Sequence, residues 1–109
     1  MMKIPKSIRI GGAEYAVSMV DWLANGSQVA YGHIDFDKCL IEISETAAVN
    51  HEKRCMVMWH EILHGIVEHT GIEIENEERV VDVFSRGIYQ VLQDNGRRLF
   101  DIQNEEGQQ

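Results

Sequence analysis

With 109 residues and a formal net charge of -8, the chain has room for one ordinary domain and not two, so any site must be built on a single compact core. Clustered positive charge is what draws a protein to nucleic acid or to an anionic membrane; the only tight basic pairs are Lys53-Arg54 and Arg97-Arg98, and neither partner is expected. No apolar run approaches the roughly 20 residues a bilayer requires, and the opening MMKIPKSIRI lacks an apolar stretch of the secretory kind, which makes the cytoplasm the expected compartment.

Residues 3 to 20 alternate as two strands, KIPKSIRI and EYAVSMV, about Gly11-Gly12, a pair suited to the positive φ angles of a tight hairpin. A loop follows from Asp21 to Gln28, and then VAYGHIDF and CLIEIS read as strands on either side of Asp37-Lys38. In LIEIS, Leu40, Glu42 and Ser44 share one face and Ile41 and Ile43 the other, the alternation of a half-buried antiparallel strand. Cys39 and Cys55 have no CxxC partner and read as reduced core thiols.

From Asn50 the pattern turns helical. Asn50 can cap, HEKRCMVMWHEILHGIVEHT holds no proline, and Gly71 ends the segment. Apolar residues lie on nearly every side of it, as in a central buried helix. A second helix is expected from an Asn76 cap to about Asn95, with Gly96 stopping it and Val81, Phe84, Ile88, Val91 and Leu92 packing on the first helix. The expected architecture is α+β: a small antiparallel sheet of three to four strands from about residues 1–45, packed on two long helices at about 50–95, with a flexible polar tail at about 103–109.

The first helix contains WHEILHG, with His60 and His64 four apart and Glu61 directly after the first. On a helix that spacing brings two imidazoles to one face, within reach of one zinc ion, while Glu61 can reach a zinc-activated water as general base without replacing it. The pattern arises by chance with a probability on the order of 0.02 for this composition, and two unpartnered histidines in a buried helix are costly. A catalytic zinc needs a third protein ligand. Glu78 at the start of the second helix is the favoured one and Glu77 the runner-up. Asp82, one turn beyond Glu78, is placed to accept a hydrogen bond from the free ring nitrogen of a ligating histidine. His69, His33 and His51 have no suitable spacing partner, and Tyr89 reads as packing. A strand at the sheet edge beside the zinc offers a peptide substrate a place to pair.

The order of strands, HEILH on a buried helix, and a following helix opening ENEERVVDVF resembles the zincin metallopeptidases, and among them the small ImmA/IrrE-like proteins of phages and prophages. Residues 50 to 95 carry the likeness. It implies a gluzincin-type site, with Glu78 as third zinc ligand beside His60 and His64, Glu61 as base, and a protein or peptide as substrate. A phage-encoded chain acts in the host cytoplasm. The second helix departs from the family in carrying VDVFS where Glu-Ala-Asn-x-Phe-Ala is common, and Val67 and Thr70 stand where a metzincin places glycine and histidine. Two function classes follow: a zinc metallopeptidase, its shallow groove completed by a partner or a second copy, and a catalytically weak or inactive zinc-binding module that binds a partner protein.

Overall fold

The computed structural model describes residues 2–100; the tail expected at 103–109 lies outside them. Six strands and two helices follow in order: β1 (Ser7–Ile10), β2 (Ala13–Val20), β3 (Ala24–Asn25), β4 (Gln28–Val29), β5 (Gly32–Asp35), β6 (Leu40–Ser44), α1 (His51–Thr70) and α2 (Glu77–Leu99). The class is α+β, as the sequence implies.

The main sheet has the order β1-β2-β6-β5, while β3 and β4 form a separate small hairpin that takes up the end of the stretch read as a loop and Val29 of the stretch read as one strand, VAYGHIDF. Gly11 and Gly12 turn β1 into β2 at φ +59° and +85°. Asp35 Oδ1 accepts from the amides of Asp37 (3.0 Å) and Lys38 (2.9 Å), closing the turn from β5 to β6. The sheet departs from the wholly antiparallel expectation, because β6 lies parallel to β2, with Val17 opposite Ile41 and Met19 opposite Ile43. Burial accounts for this order. Ile41 and Ile43 are fully buried and place β6 in the interior of the sheet, whereas β5, with Gly32 and an exposed His33, serves as an edge.

α1 is capped by Asn50, whose Oδ1 accepts from the Lys53 amide (2.8 Å), and ends at Gly71 in the left-handed region with its amide bonded to Val67. One side touches β1, β5 and β6 and another touches α2, so α1 is the middle layer of three. Gly65 makes the close approach possible: a Cβ there would stand 3.1 Å from Ile10 Cδ1 and 3.3 Å from Ile34 Cδ1. The core joins Ile10, Tyr15, Ile41 and Ile43 of the sheet to Val57, Met58 and Ile62 of α1.

α2 differs from its expected form in three ways. Asn76 has φ +59° and makes no side-chain cap bond; the preceding turn, not a capping side chain, starts the helix. Asn95 breaks helical geometry, yet the helix resumes through Gly96 to Leu99. The face packed on α1 is marked by Val81, Ser85 and Tyr89, whereas Phe84 and Val91 are exposed. Ser85 tolerates burial because its hydroxyl donates to Asp82 O within the same helix (3.0 Å). Among the described residues no helix is long and apolar enough to cross a membrane.

Candidate metal centre

His60 and His64 project from the α2-facing side of α1, and α2 begins opposite them. The connection Gly71–Asn76 returns the chain so that Glu77, Glu78 and Asp82 descend alongside the two histidines. Glu78 meets both rings at once: its Oε2 is 3.0 Å from His60 Nε2 and its Oε1 3.0 Å from His64 Nε2. The two Nε2 atoms stand 3.2 Å apart. His60, His64 and Glu78 therefore form a group that could hold a metal ion, as the sequence spacing implies.

The outer ring nitrogens decide what the inner ones can do. His64 Nδ1 lies 2.7 Å from Glu77 Oε2, and because a carboxylate only accepts, Nδ1 carries the proton. In the neutral ring Nε2 then presents a lone pair toward Glu78 and His60. His60 Nδ1 faces Asp82 Oδ1 at 3.6 Å, too long for a hydrogen bond but near enough to favour a proton on that side. Three lone-pair donors thus converge, and they repel unless a cation lies among them. A tetrahedral ion with bonds of about 2.0–2.1 Å spaces its ligand atoms about 3.3 Å apart, and the two Nε2 atoms, 3.2 Å apart, match that spacing, with one Glu78 oxygen 3.0 Å from each of them. Without one, protons are the available neutraliser. Burial pushes the His64 pKa down, but the Glu77 hydrogen bond, with Glu61 and Glu78 nearby, outweighs it and the net shift is upward. For His60 burial prevails over Glu78, and the net shift is downward.

Glu61 stands apart from this triad. It is buried at 7 % exposure, and its Oε2 packs against β5: a Cβ on Gly32 would sit 3.0 Å from that oxygen and 2.5 Å from Val57 Cγ1. Burial raises its pKa to about 7, with the charge of His64 opposing and that of Glu78 assisting. The carboxyl lines a cleft of about 960 Å³ between β5 and the two helices, together with His60, His64, Glu78 and Asp82. On the sheet side of that cleft runs the edge strand. Since the Ser44 amide donates to Tyr31 O, the alternation of an antiparallel pair turns the N–H and C=O of Gly32 and Ile34 toward the open edge.

Of the residues singled out from the sequence, His60, Glu61, His64, Glu78 and Asp82 all meet at the cleft. Asp82 approaches His60 without a hydrogen bond and is shared with Arg86 at 3.4 Å. The short bond to a ligand histidine belongs instead to Glu77, the runner-up ligand of the sequence reading. The available signal was the start of α2 itself: two successive acids there reach the two histidines in different ways. Gly32 was not foreseen, since its role depends on a long-range contact between β5 and α1. His69 lies outside the centre and bonds Tyr15 OH (2.8 Å). His33 is exposed on β5, and Tyr89 is buried beside α1. Comparisons with protein-family models, with curated proteins and with solved structures found no match for this chain.

Proposed function

We propose that the protein is a zinc-dependent metallopeptidase of the zincin type, in which His60, His64 and Glu78 hold the ion and Glu61 is the general base. The observation that carries this reading is a separation of roles: three donors converge on one point, while a fourth acidic group, Glu61, lies buried in the same cleft without joining them. A closed structural site has no use for such a carboxyl. Two imidazoles and one carboxylate suit zinc, and the resemblance of residues 50–95 to zincins supports the same choice.

Bound zinc supplies Lewis-acid polarisation of a water and of an acyl carbonyl. Glu77 holds the proton of His64 on Nδ1 by a hydrogen bond, and the nearby charge of Asp82 favours a proton on His60 Nδ1, so that each Nε2 is free to ligate. Glu61 takes the proton of the attacking water and delivers it to the leaving amine; a carboxyl whose pKa is raised to about 7 can do both near neutrality. The open edge of β5 offers the backbone groups of Gly32 and Ile34 to an extended peptide, aligning it across the cleft by strand addition.

The test is hydrolysis of a mixed fluorogenic peptide pool by zinc-loaded protein, with Glu61→Gln in parallel. Cleavage that chelation removes, that zinc restores and that Glu61→Gln lacks despite bound zinc is the expected result. A zinc-loaded chain that cleaves nothing overturns the peptidase and leaves a metal-holding module that binds a partner protein.

A further inference from the structure

Besides its histidines, the metal cleft is lined by three cationic side chains, Lys53 of α1 and Arg79 and Arg86 of α2. In a chain of net charge -8 such a gathering runs against the rest of the surface, and the carboxylates of the cleft are already engaged. Glu78 faces the two histidines, Glu61 is buried, and Asp82 lies between His60 and Arg86. Lys53 meets no carboxylate among the described residues; its Nζ stands 4.8 Å from the centre of the half-exposed Tyr31 ring.

The register of the two helices brings Lys53 and Arg86 to one level. α1 and α2 are antiparallel, with His64 against Glu77 and His60 against Glu78 and Asp82. Lys53 lies two turns before His60, about 10 Å along the axis, and the α2 residues at that height run from Ser85 to Tyr89. Burial, with Cys55 and Glu52 of α1 as neighbours, raises the Tyr89 pKa, which marks the same level. Arg86, in that turn, lines the cleft with its side chain exposed, whereas Arg79 directly follows Glu78 at the metal end. β5 runs alongside in the sense of α1: Tyr31 lies at Lys53, Gly32 at Val57 and Glu61, and Ile34 at Gly65. An extended peptide on the open edge of Gly32 and Ile34 thus passes from the metal centre to the gap between Lys53 and Arg86 in about three residues, at about 3.3 Å each.

We propose that Lys53 and Arg86 select a peptide that carries a carboxylate, from an Asp or Glu side chain or from a free C-terminus, about three residues C-terminal to the bond at the metal. This selection rests on the reading of the cleft as a peptide site. Antiparallel pairing with β5, the more stable kind per residue, brings the C-terminal side of the peptide to this end. There an arginine fork, which matches a carboxylate in shape, and a lysine point charge face the same carboxylate from opposite walls.

Chemical-shift titration of the full Glu61→Gln chain, with and without zinc, tests this without requiring cleavage. The probes are acetylated, amidated octapeptides of alanine and threonine with one central Glu, Gln or Lys, and an uncharged octapeptide with a free C-terminus. The Glu peptide should bind about five- to tenfold more tightly than the Gln peptide, the range for two partly exposed ion pairs, with Lys weaker still and the Gly32 and Ile34 amides shifting. A gain from the free C-terminus alone assigns the carboxylate to a chain end. Raised salt should shrink these differences. Lys53→Glu combined with Arg86→Glu should invert the order to favour Lys, an outcome that only a folded chain can give. Equal binding of the three peptides, or a preference that survives the double substitution, overturns the proposal even where the unmodified zinc-loaded chain cleaves peptides. A preference in a chain that cleaves nothing upholds it and removes the peptidase. A preference lost in Arg79→Gln and kept in the double variant assigns the carboxylate to the metal end and overturns the role of Lys53 and Arg86. Where cleavage occurs, mass spectrometry should place the cut about three residues before the Glu; a cut after it overturns the antiparallel pairing.

Discussion

Helix α1 carries two pairs of metal-ligating residue types at the same spacing, His60 with His64 and, passed over in the sequence reading of His51, His51 with Cys55, and the two pairs meet opposite surroundings. His51 Nε2 donates to Met2 O at 2.6 Å and lies 3.3 Å from Cys55 Sγ, so its lone donor is already used by backbone. Cys55 is fully buried; burial, with Glu52 nearby, raises its pKa and holds it as a thiol, the form that does not ligate. Among the described residues no carboxylate bonds that histidine. At the other pair, the Glu77 carboxylate takes the outer ring nitrogen of His64 and frees the inner one, and Glu78 arrives from a different element to complete a set of three. Equal spacing on a helix therefore makes a candidate, and the partners of the far ring nitrogens decide which candidate becomes a site.

The largest expected effect breaks the two pairs apart. His64→Ala loses bound metal and hydrolysis together, whereas His51→Ala and Cys55→Ala retain about one ion per chain, as counted by elemental mass spectrometry. Glu61→Gln keeps the ion and lowers kcat/KM by about 10²–10⁴-fold, the usual contribution of a general base. Metal loss in Glu61→Gln equal to that in His64→Ala would place Glu61 among the ligands and remove it as the base.

How much of this could be read from the sequence depends on how local each feature is. His60, Glu61 and His64 lie within one and a half turns of helix, and helical geometry alone brings them together. Glu78 was within reach because a helix that follows a short connection must return beside its predecessor. The packing face of α2 was misread because hydropathy favours Phe84 and Val91 over Ser85, although Ser85 satisfies its own hydroxyl on Asp82 O and can be buried. The parallel pairing of β6 with β2 and the seat of Glu61 against Gly32 join residues far apart in the chain, and no local period records such contacts.

The burial of Glu61 gives the next effect, in the metal-free protein. Its folded pKa of about 7 lies above the ordinary glutamate value, so the folded state holds a proton that the unfolded state has already released. The stability this group supplies is fully present below its unfolded pKa and is lost as pH rises toward about 7, by about 3 kcal/mol. Urea midpoints taken between mildly acid and neutral pH should fall more steeply for the unmodified chain than for Glu61→Gln, whose amide does not titrate. Parallel curves would place the Glu61 carboxyl in solvent and not against β5.

Gly32→Ala tests the same seat from the strand. The added methyl meets Val57 Cγ1 and Glu61 Oε2, and β5 or the carboxyl must shift. Because neither residue ligates, metal content should hold, while a displacement of this order costs about 10²-fold in kcat. Retained zinc with reduced turnover locates the fault in the base; lost zinc would mean that β5 supports the triad itself.

Glu77→Gln yields the smallest of these effects and the finest resolution of the opening comparison. An amide oxygen can still accept from His64 Nδ1, but it lacks the charge that makes the inner nitrogen a strong donor. Zinc affinity should fall by about 10–100-fold, the range for carboxylates that orient ligand histidines, with stoichiometry unchanged at saturating metal. Glu78→Gln, which removes the charge of the ligand itself, should weaken binding further. If Glu77→Gln were the more damaging of the two, Glu77 would be the ligand and the second ring nitrogen of His64 would need another partner. The ranking of the two substitutions by competition with a chelator thus separates a residue that holds the ion from one that prepares the histidine to hold it, the distinction that sets His60 and His64 apart from His51 and Cys55 on the same helix.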